Sequence, residues 1–180
     1  MPLFSSFEVL AETLVPTALP LPPSVPNPLL IQGYFVQLSL QPGQQSTQFN
    51  IVFDETTKFK QGGNPKALLA QIIDAQGQVN IYDNFFSSVS MGFLDQKINP
   101  GETLIYGVQA IPIPTFQLGA SLPQGGIGWR GTVSIDAQFP GTLFATATQR
   151  QVFFQGPNIE SAAINGAAYA LPTFSGNGSI

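Results

Sequence analysis

The residues that could carry chemistry in this chain are acids, lysines, tyrosines and hydroxyls, because its 180 residues include 0 His and 0 Cys. Cysteine- or histidine-ligated zinc, iron–sulfur, blue-copper and haem sites are therefore excluded. Serine–histidine–aspartate and cysteine–histidine catalysis are excluded for the same reason, and no disulfide can form. The sequence predicts a protein that is not an enzyme and has no catalytic residues, no cofactor and no metal site.

The acidic residues are scattered along the chain, and only Asp54 and Glu55 are adjacent. Neighbouring residues of a β-strand point to opposite faces, so these two carboxylates would not share a site. A glycosidase needs two carboxyl groups about 5–10 Å apart across a cleft, and the spacing indicates no such pair. Calcium, whose ligands are oxygens, is the metal left open. Asp83-Asn84 is too sparse for a calcium loop, which leaves a site built from distant loop oxygens as the alternative.

The candidate binding residues are Trp129, Arg130, Tyr82 and Tyr106, with Tyr34 as a further aromatic. Trp129-Arg130 is the most distinctive pair of neighbours in the sequence, because the only Trp of the chain stands beside one of its two Arg residues. If it is exposed, the Trp offers a platform on which a sugar could stack, as Trp and Arg are enriched at binding hot spots. The favoured interpretation is instead that Trp129 plugs one end of the fold with Arg130 stacked over it.

Charge and hydropathy patterning exclude several classes of partner. Only 9% of the residues are charged and the net charge is −4, whereas about 25% are charged in a typical domain. The six basic residues form no stripe, which predicts no binding to nucleic acid or to an anionic membrane surface. No apolar run is long enough to span a membrane. The first basic residue is Lys58, so no signal peptide is predicted and a cytoplasmic location is the default expectation, unless a signal has been removed.

The elements that must position these residues fall into three segments, namely 1–28, 29–156 and 157–180. In the first segment, Ser5 and Glu8 fit a capping box and predict a short helix, with a strand as the alternative. The prolines that follow predict an extended arm, packed along the domain or joining subunits rather than serving as an SH3 ligand. The last segment is rich in small residues and is expected to be a loosely held tail.

The middle segment shows the period-two alternation of β-strands. Pro100-Gly101 predicts a type II turn. Residues 68–74 read as helix or strand, and the turn at 75–78 favours a hairpin with a strand from Val79. A last hairpin is predicted to join 131–138 to 143–154. The alternation is clearest at two runs of inward positions, which are Tyr34, Val36, Leu38 and Leu40, and then Phe49, Ile51 and Phe53.

Eight or so strands separated by Pro/Gly turns predict an all-β fold. An antiparallel β-sandwich of immunoglobulin-like type is favoured over a barrel, with the Pro-rich arm and a short N-terminal helix added to it. Such an architecture carries no function with it. A structural or protein-interaction module is favoured by the low charge, the Gln/Ser/Thr-rich surface and the Pro-rich and Ala/Gly-rich ends. Its partner is expected to be a protein, either a second copy of the chain through self-association or another protein. The alternative is a carbohydrate- or small-ligand-binding domain that uses exposed aromatic residues.

Overall fold

A computed structural model describes residues 1–15, 19, 21–58, 68–82, 90–110, 127–155, 163–174, 176 and 178–180. Within these ranges the chain is built from ten β-strands and has no helix. The strands are β1 (Leu3–Thr13), β2 (Leu29–Leu40), β3 (Thr47–Lys58), β4 (Leu68–Ile73), β5 (Val79–Tyr82), β6 (Ser90–Ile98), β7 (Thr103–Ala110), β8 (Ile127–Ala137), β9 (Leu143–Phe154) and β10 (Ala163–Leu171).

The strands form one antiparallel sheet that curls into a half-barrel. Its main path runs β5-β4-β7-β2-β1-β8-β3-β6, and β9 and β10 branch from β2. The branch exists because β2 pairs with β9 from end to end and with β7 from Gly33 to Ser39, while β1 reaches β2 only at residues 29–31. The all-β, antiparallel prediction is confirmed. The immunoglobulin-like sandwich is not confirmed, since these strands belong to a single sheet.

The short helix expected near the N-terminus is wrong, because residues 3–13 form β1. Ser5, predicted to cap that helix, is buried, and its hydroxyl is hydrogen bonded to the Tyr34 hydroxyl of β2. Phe7 packs against Tyr34 and Phe53, with ring centroids 5.8 Å away in both cases. Pairing with β8 along the strand and this aromatic packing outweigh the weak local preference of the capping box.

The alternation predicted for β3 is confirmed, whereas that of β2 is confirmed only in part, because Phe35 is buried as well and Leu40 is only partly buried. Tyr34, Val36 and Leu38 are buried in the core, and so are Phe49, Ile51 and Phe53 of β3. Residues that alternate with the β3 set are only partly buried. The inner face of the curled sheet is therefore a continuous apolar core lined by aromatic rings.

The turns that depend on local chemistry also form as predicted. Gly101 has φ +82° and the Glu102 amide donates to the Asn99 carbonyl at 3.1 Å, which is the geometry expected of the predicted turn. β4 and β5 form the predicted hairpin, in which Ala70 lies opposite Tyr82. The strand alternative for 68–73 is thus the one observed.

The predicted last hairpin is wrong, because β8 and β9 follow each other without pairing. β8 lies between β1 and β3, so both of its edges are already occupied. β9 pairs instead with β2 and β10. The turn at 139–142, closed by the Thr142 hydroxyl donating to the Phe139 carbonyl at 2.6 Å, therefore carries the chain from one part of the curled sheet to another.

The C-terminal residues are held more firmly than expected. Ala163–Leu171 forms β10, which pairs with β9. Further on, Ser179 forms a bridge with Phe144, and Leu143 and Ile180 exchange both backbone hydrogen bonds, at 3.1 and 3.0 Å. Backbone pairing does not require large side chains, which is why the small-residue composition misled the prediction.

Candidate functional site

A groove of about 520 Å³ opens where β1 separates from β2. β1 pairs with β2 only from Ala11 to Thr13, and earlier in β1 the two strands diverge, with β7 taking the place of β1 beside β2 from Gly33 onward. Strands β1, β2, β3, β8, β9 and β10 all contribute to the lining. The groove is lined by Ser6, Phe7, Glu8, Gln32, Thr56, Thr57, Arg130, Gly131, Thr132, Gln149, Tyr169 and Leu171.

An ion pair between Glu8 and Arg130 borders the groove. The two residues lie directly opposite each other in β1 and β8, and Arg130 Nε donates to Glu8 Oε2. Both side chains are more than a third exposed, so the pair contributes at most about 1 kcal/mol to stability. Within the pair the two charges offset each other.

Glu12 adds a second carboxylate near this ion pair. Partial burial raises the pKa of Glu12, the nearby Glu8 carboxylate raises it further, and Arg130 lowers it. The protonation of Glu12 therefore responds to the same two charges that border the groove. Among the described residues, no group of three or more acidic side chains is placed to hold a metal ion.

A bulge in β3 and a glycine in β8 shape one wall of the groove. The register of β3 against β8 shifts between Glu55 and Thr57, which turns Thr56 and Thr57 toward the opening. The backbones approach so closely here that a Cβ on Gly131 would lie 1.9 Å from the Asp54 carbonyl oxygen. Only glycine fits at residue 131 without moving one of these strands.

Two glutamine side chains form the deeper lining. Gln149 is buried, and its Nε2 donates to the Glu8 carbonyl at 2.8 Å, which bridges β9 to β1. Gln32 is 8% exposed, and its Nε2 reaches Gln151 Oε1 at 3.5 Å. Gln32 Oε1 is buried and has no hydrogen-bond partner among the described residues. The groove thus includes a buried acceptor for which the described part of the chain supplies no donor.

The structure places the four predicted binding residues in three different environments. Arg130 lines the groove, whereas its neighbour Trp129 is 3% exposed and belongs to the core. Tyr106 is buried in β7, and Tyr82 of β5 is 41% exposed. Tyr34, the further aromatic candidate, is also buried in the core. A binding role for these residues stays a prediction.

Tyr82 and Tyr106 belong to one aromatic row, formed by Tyr82, Phe93, Tyr106 and Phe49. Successive ring centroids are 5.2, 5.3 and 5.7 Å apart. The Tyr106 hydroxyl donates to Gln96 Oε1 at 3.0 Å. This row joins β5, β6, β7 and β3, so it links strands from both ends of the main path.

Sequence reasoning missed the residues that accompany Arg130 in the groove. Glu8 is 122 positions away in the chain, and Gln32 and Gln149 are two of many glutamines in a Gln-rich sequence. The one usable signal was the position of Glu8, which would point outward if residues 3–13 were read as a strand.

Comparison of the sequence with known proteins assigns no function to this groove. Within the described part of the chain, no helix has the length and apolar character needed to cross a bilayer. The sequence matches no protein-family model, and no curated protein matches it significantly.

Proposed function

We propose that this protein is a non-enzymatic structural module that self-associates through the outer edge of β10. The observation that carries this proposal is the character of that edge. Among the described strands β10 pairs only with β9, and Ala163–Ala170 are exposed. The strand contains neither a charged residue nor a proline. An uncharged strand with one unpaired edge is a ready template for pairing with another chain.

The other two edge strands are protected in ways that β10 is not. β5 is only four residues long. β6 carries Asp95 and Lys97, and Asp95 sits in a bulge with φ 53°, where its amide donates to Asn50 Oδ1 at 2.8 Å. Short length, charge and bulges are the devices that keep sheet edges apart. The contrast supports β10 as the edge used for association.

A second copy of the chain is the partner that fits this edge best. Two β10 strands can pair antiparallel about a two-fold axis, so that each copy offers the same surface. The axis would pass through Ala167, the middle residue of Ala163–Leu171. Because β10 contains no charged residue, no like charges would meet across this axis. Each backbone hydrogen bond formed in this way contributes about 0.5–1.5 kcal/mol. The result would be a sheet that continues from one copy into the next.

The test is the oligomeric state measured by sedimentation velocity from micromolar to millimolar concentration. Wild-type protein should show a concentration-dependent dimer. Ala167→Lys and Ala167→Glu should each be monomeric, because like charges would face each other across the axis. A mixture of the two variants should recover the dimer through opposite charges.

Val79→Lys is the matched control, since it adds the same charge to the short edge strand β5. It should leave the dimer intact. A wild-type protein that stays monomeric up to millimolar concentration would rule out the proposal. So would an Ala167→Lys variant that associates as strongly as wild type.

A further inference from the structure

We infer that the groove between β1 and β10 is a binding site for a neutral, polyhydroxylated small molecule of the saccharide class. The inference is independent of self-association, because it concerns the groove lining and not the outer edge of β10. A volume of about 520 Å³ falls within the range of small-molecule sites, about 300–1,000 Å³.

The chemistry of the lining favours a neutral ligand rich in hydroxyl groups. Among the described residues of the lining, Glu8 and Arg130 are the charged ones, and they pair with each other. Their charges cancel, so an ionic ligand would have to break this contact to be recognised. The remaining polar lining consists of hydroxyls and amides, which donate and accept hydrogen bonds as sugar hydroxyls do. These residues are Ser6, Thr56, Thr57, Thr132, Gln32 and Gln149.

Gln32 gives the inference a specific hydrogen bond to form. Its Oε1 is a buried acceptor that meets no donor among the described residues, and such atoms normally have a partner. A ligand hydroxyl that donates to this oxygen would satisfy it. The adjacent amide Gln149 is held in place by its hydrogen bond to the Glu8 carbonyl, so this part of the lining is already ordered.

Tyr169 supplies the aromatic surface that sugar recognition uses. It lies in β10 opposite Gln149, lines the groove and is 45% exposed. The face of its ring is electron-rich and attracts the weakly positive C–H groups of a pyranose. Gln151 lies two residues after Gln149 in β9 and directly opposite Gln32 of β2. Paired residues and residues two apart in a strand point to the same face, so these amides and the Tyr169 ring share one face of β2, β9 and β10.

The experiment is a titration of ¹⁵N-labelled full-length protein with maltose, followed by amide chemical shifts. We expect saturable shifts at Gln32, Gln149 and Thr132 with millimolar affinity. Tyr169→Ala should weaken binding by about fivefold, the loss expected for one ring contact. Phe139→Ala, which removes an exposed aromatic ring outside the groove lining, should leave the affinity unchanged.

Two further arms make the result decisive. Gln32→Leu should weaken maltose binding with little change in the unfolding temperature, because it removes an acceptor without a partner among the described residues and only a long 3.5 Å hydrogen bond to Gln151. Galacturonate and glucosamine should bind more weakly than maltose, since each brings a charge to a groove whose charges are already paired. The inference is overturned by maltose shifts that are absent from the groove, by a Tyr169→Ala variant that binds as well as wild type, or by tighter binding of a charged sugar.

Discussion

Tyr82 and Phe93 pack edge to face with ring centroids 5.2 Å apart, although β5 and β6 are the two ends of the main strand path. In the described sheet β5 and β6 do not pair through backbone hydrogen bonds, and aromatic packing joins them instead. Phe93 continues the contact to Tyr106, at 5.3 Å. The half-barrel is closed on this side by side chains.

This contact should be measurable as a coupling energy. Phe93→Leu and Tyr82→Leu should each destabilise the fold, and the double variant should lose less than the sum of the two. A coupling of about 0.5–1.5 kcal/mol is expected for such a pair. Urea unfolding of the four proteins gives the cycle, and a coupling of zero would show that the two ends of the path are energetically independent.

Gly131 should tolerate no side chain. Its Cβ would lie 1.9 Å from the Asp54 carbonyl, so Gly131→Ala must push β3 away from β8 and should lose about 3 kcal/mol or more of unfolding free energy. Gly166→Ala is the control, because its Cβ would meet only the Gln151 carbonyl, at 3.4 Å, and should change stability by less than about 1 kcal/mol. Equal thermal stability of the two variants would contradict the close approach.

The hydroxyls of Tyr34 and Tyr106 should resist ionisation in the native protein. Burial raises the pKa of both phenols well above the usual value. Tyr34→Phe and Tyr106→Phe should therefore leave the native absorbance change at about 295 nm, measured between about pH 8 and 11, the same as in wild type. In denaturant each variant should show a smaller change than wild type. A smaller change in the native state would mean that the missing phenol had titrated.

Glu12 should give the fold a measurable pH dependence. Burial and the Glu8 carboxylate raise its pKa, so the folded state holds this proton more tightly than the unfolded chain. This contribution favours the native state at low pH and is lost as pH rises through the folded-state pKa. Glu12→Gln should therefore stabilise the protein more at pH 7 than at about pH 3, where Glu12 is largely protonated in both states. ¹³C titration of the carboxyl provides the direct check, and Glu8→Gln should lower the measured pKa.

Asn27 should be needed to close the connection between β1 and β2. Its Oδ1 accepts from the Val15 amide at 3.0 Å and its Nδ2 donates to the Val15 carbonyl at 2.8 Å. Asn27→Asp keeps the acceptor and loses the donor, and should lower the unfolding free energy by about 1–2 kcal/mol. Ser24→Ala, in the same connection, is the control. Identical denaturation curves for Asn27→Asp and wild type would show that this contact is not required.

The parts of the fold that were predicted correctly are those encoded by neighbouring residues. The inward positions of β2 and β3 follow from alternation, and the turn at Pro100-Gly101 follows from the φ values that these two residues prefer. Pairing between distant strands has no such local code. Nothing near Phe139 reveals that both edges of β8 are occupied, so the hairpin expected there was wrong.

The groove was unpredictable for the same physical reason. It brings together Glu8, Gln32 and Arg130 from three strands, and its wall depends on the bulge at Thr56. Arg130 was predicted as a binding residue because of its neighbour Trp129. The structure places the Trp in the core and the Arg in the groove.

The pairing of β1 with β8 has a consequence for how the protein is made. β1 leaves the ribosome before its longest partner β8, which at Ile127–Ala137 is synthesised more than a hundred residues later. During that interval Phe4, Phe7 and Val9, which the finished fold buries, have no completed sheet to pack against. Loop closure over such distances makes folding slow, and newly made chains with exposed apolar strands are prone to aggregate. Efficient production of this protein should therefore depend on chaperones that hold the nascent chain until β8 has emerged.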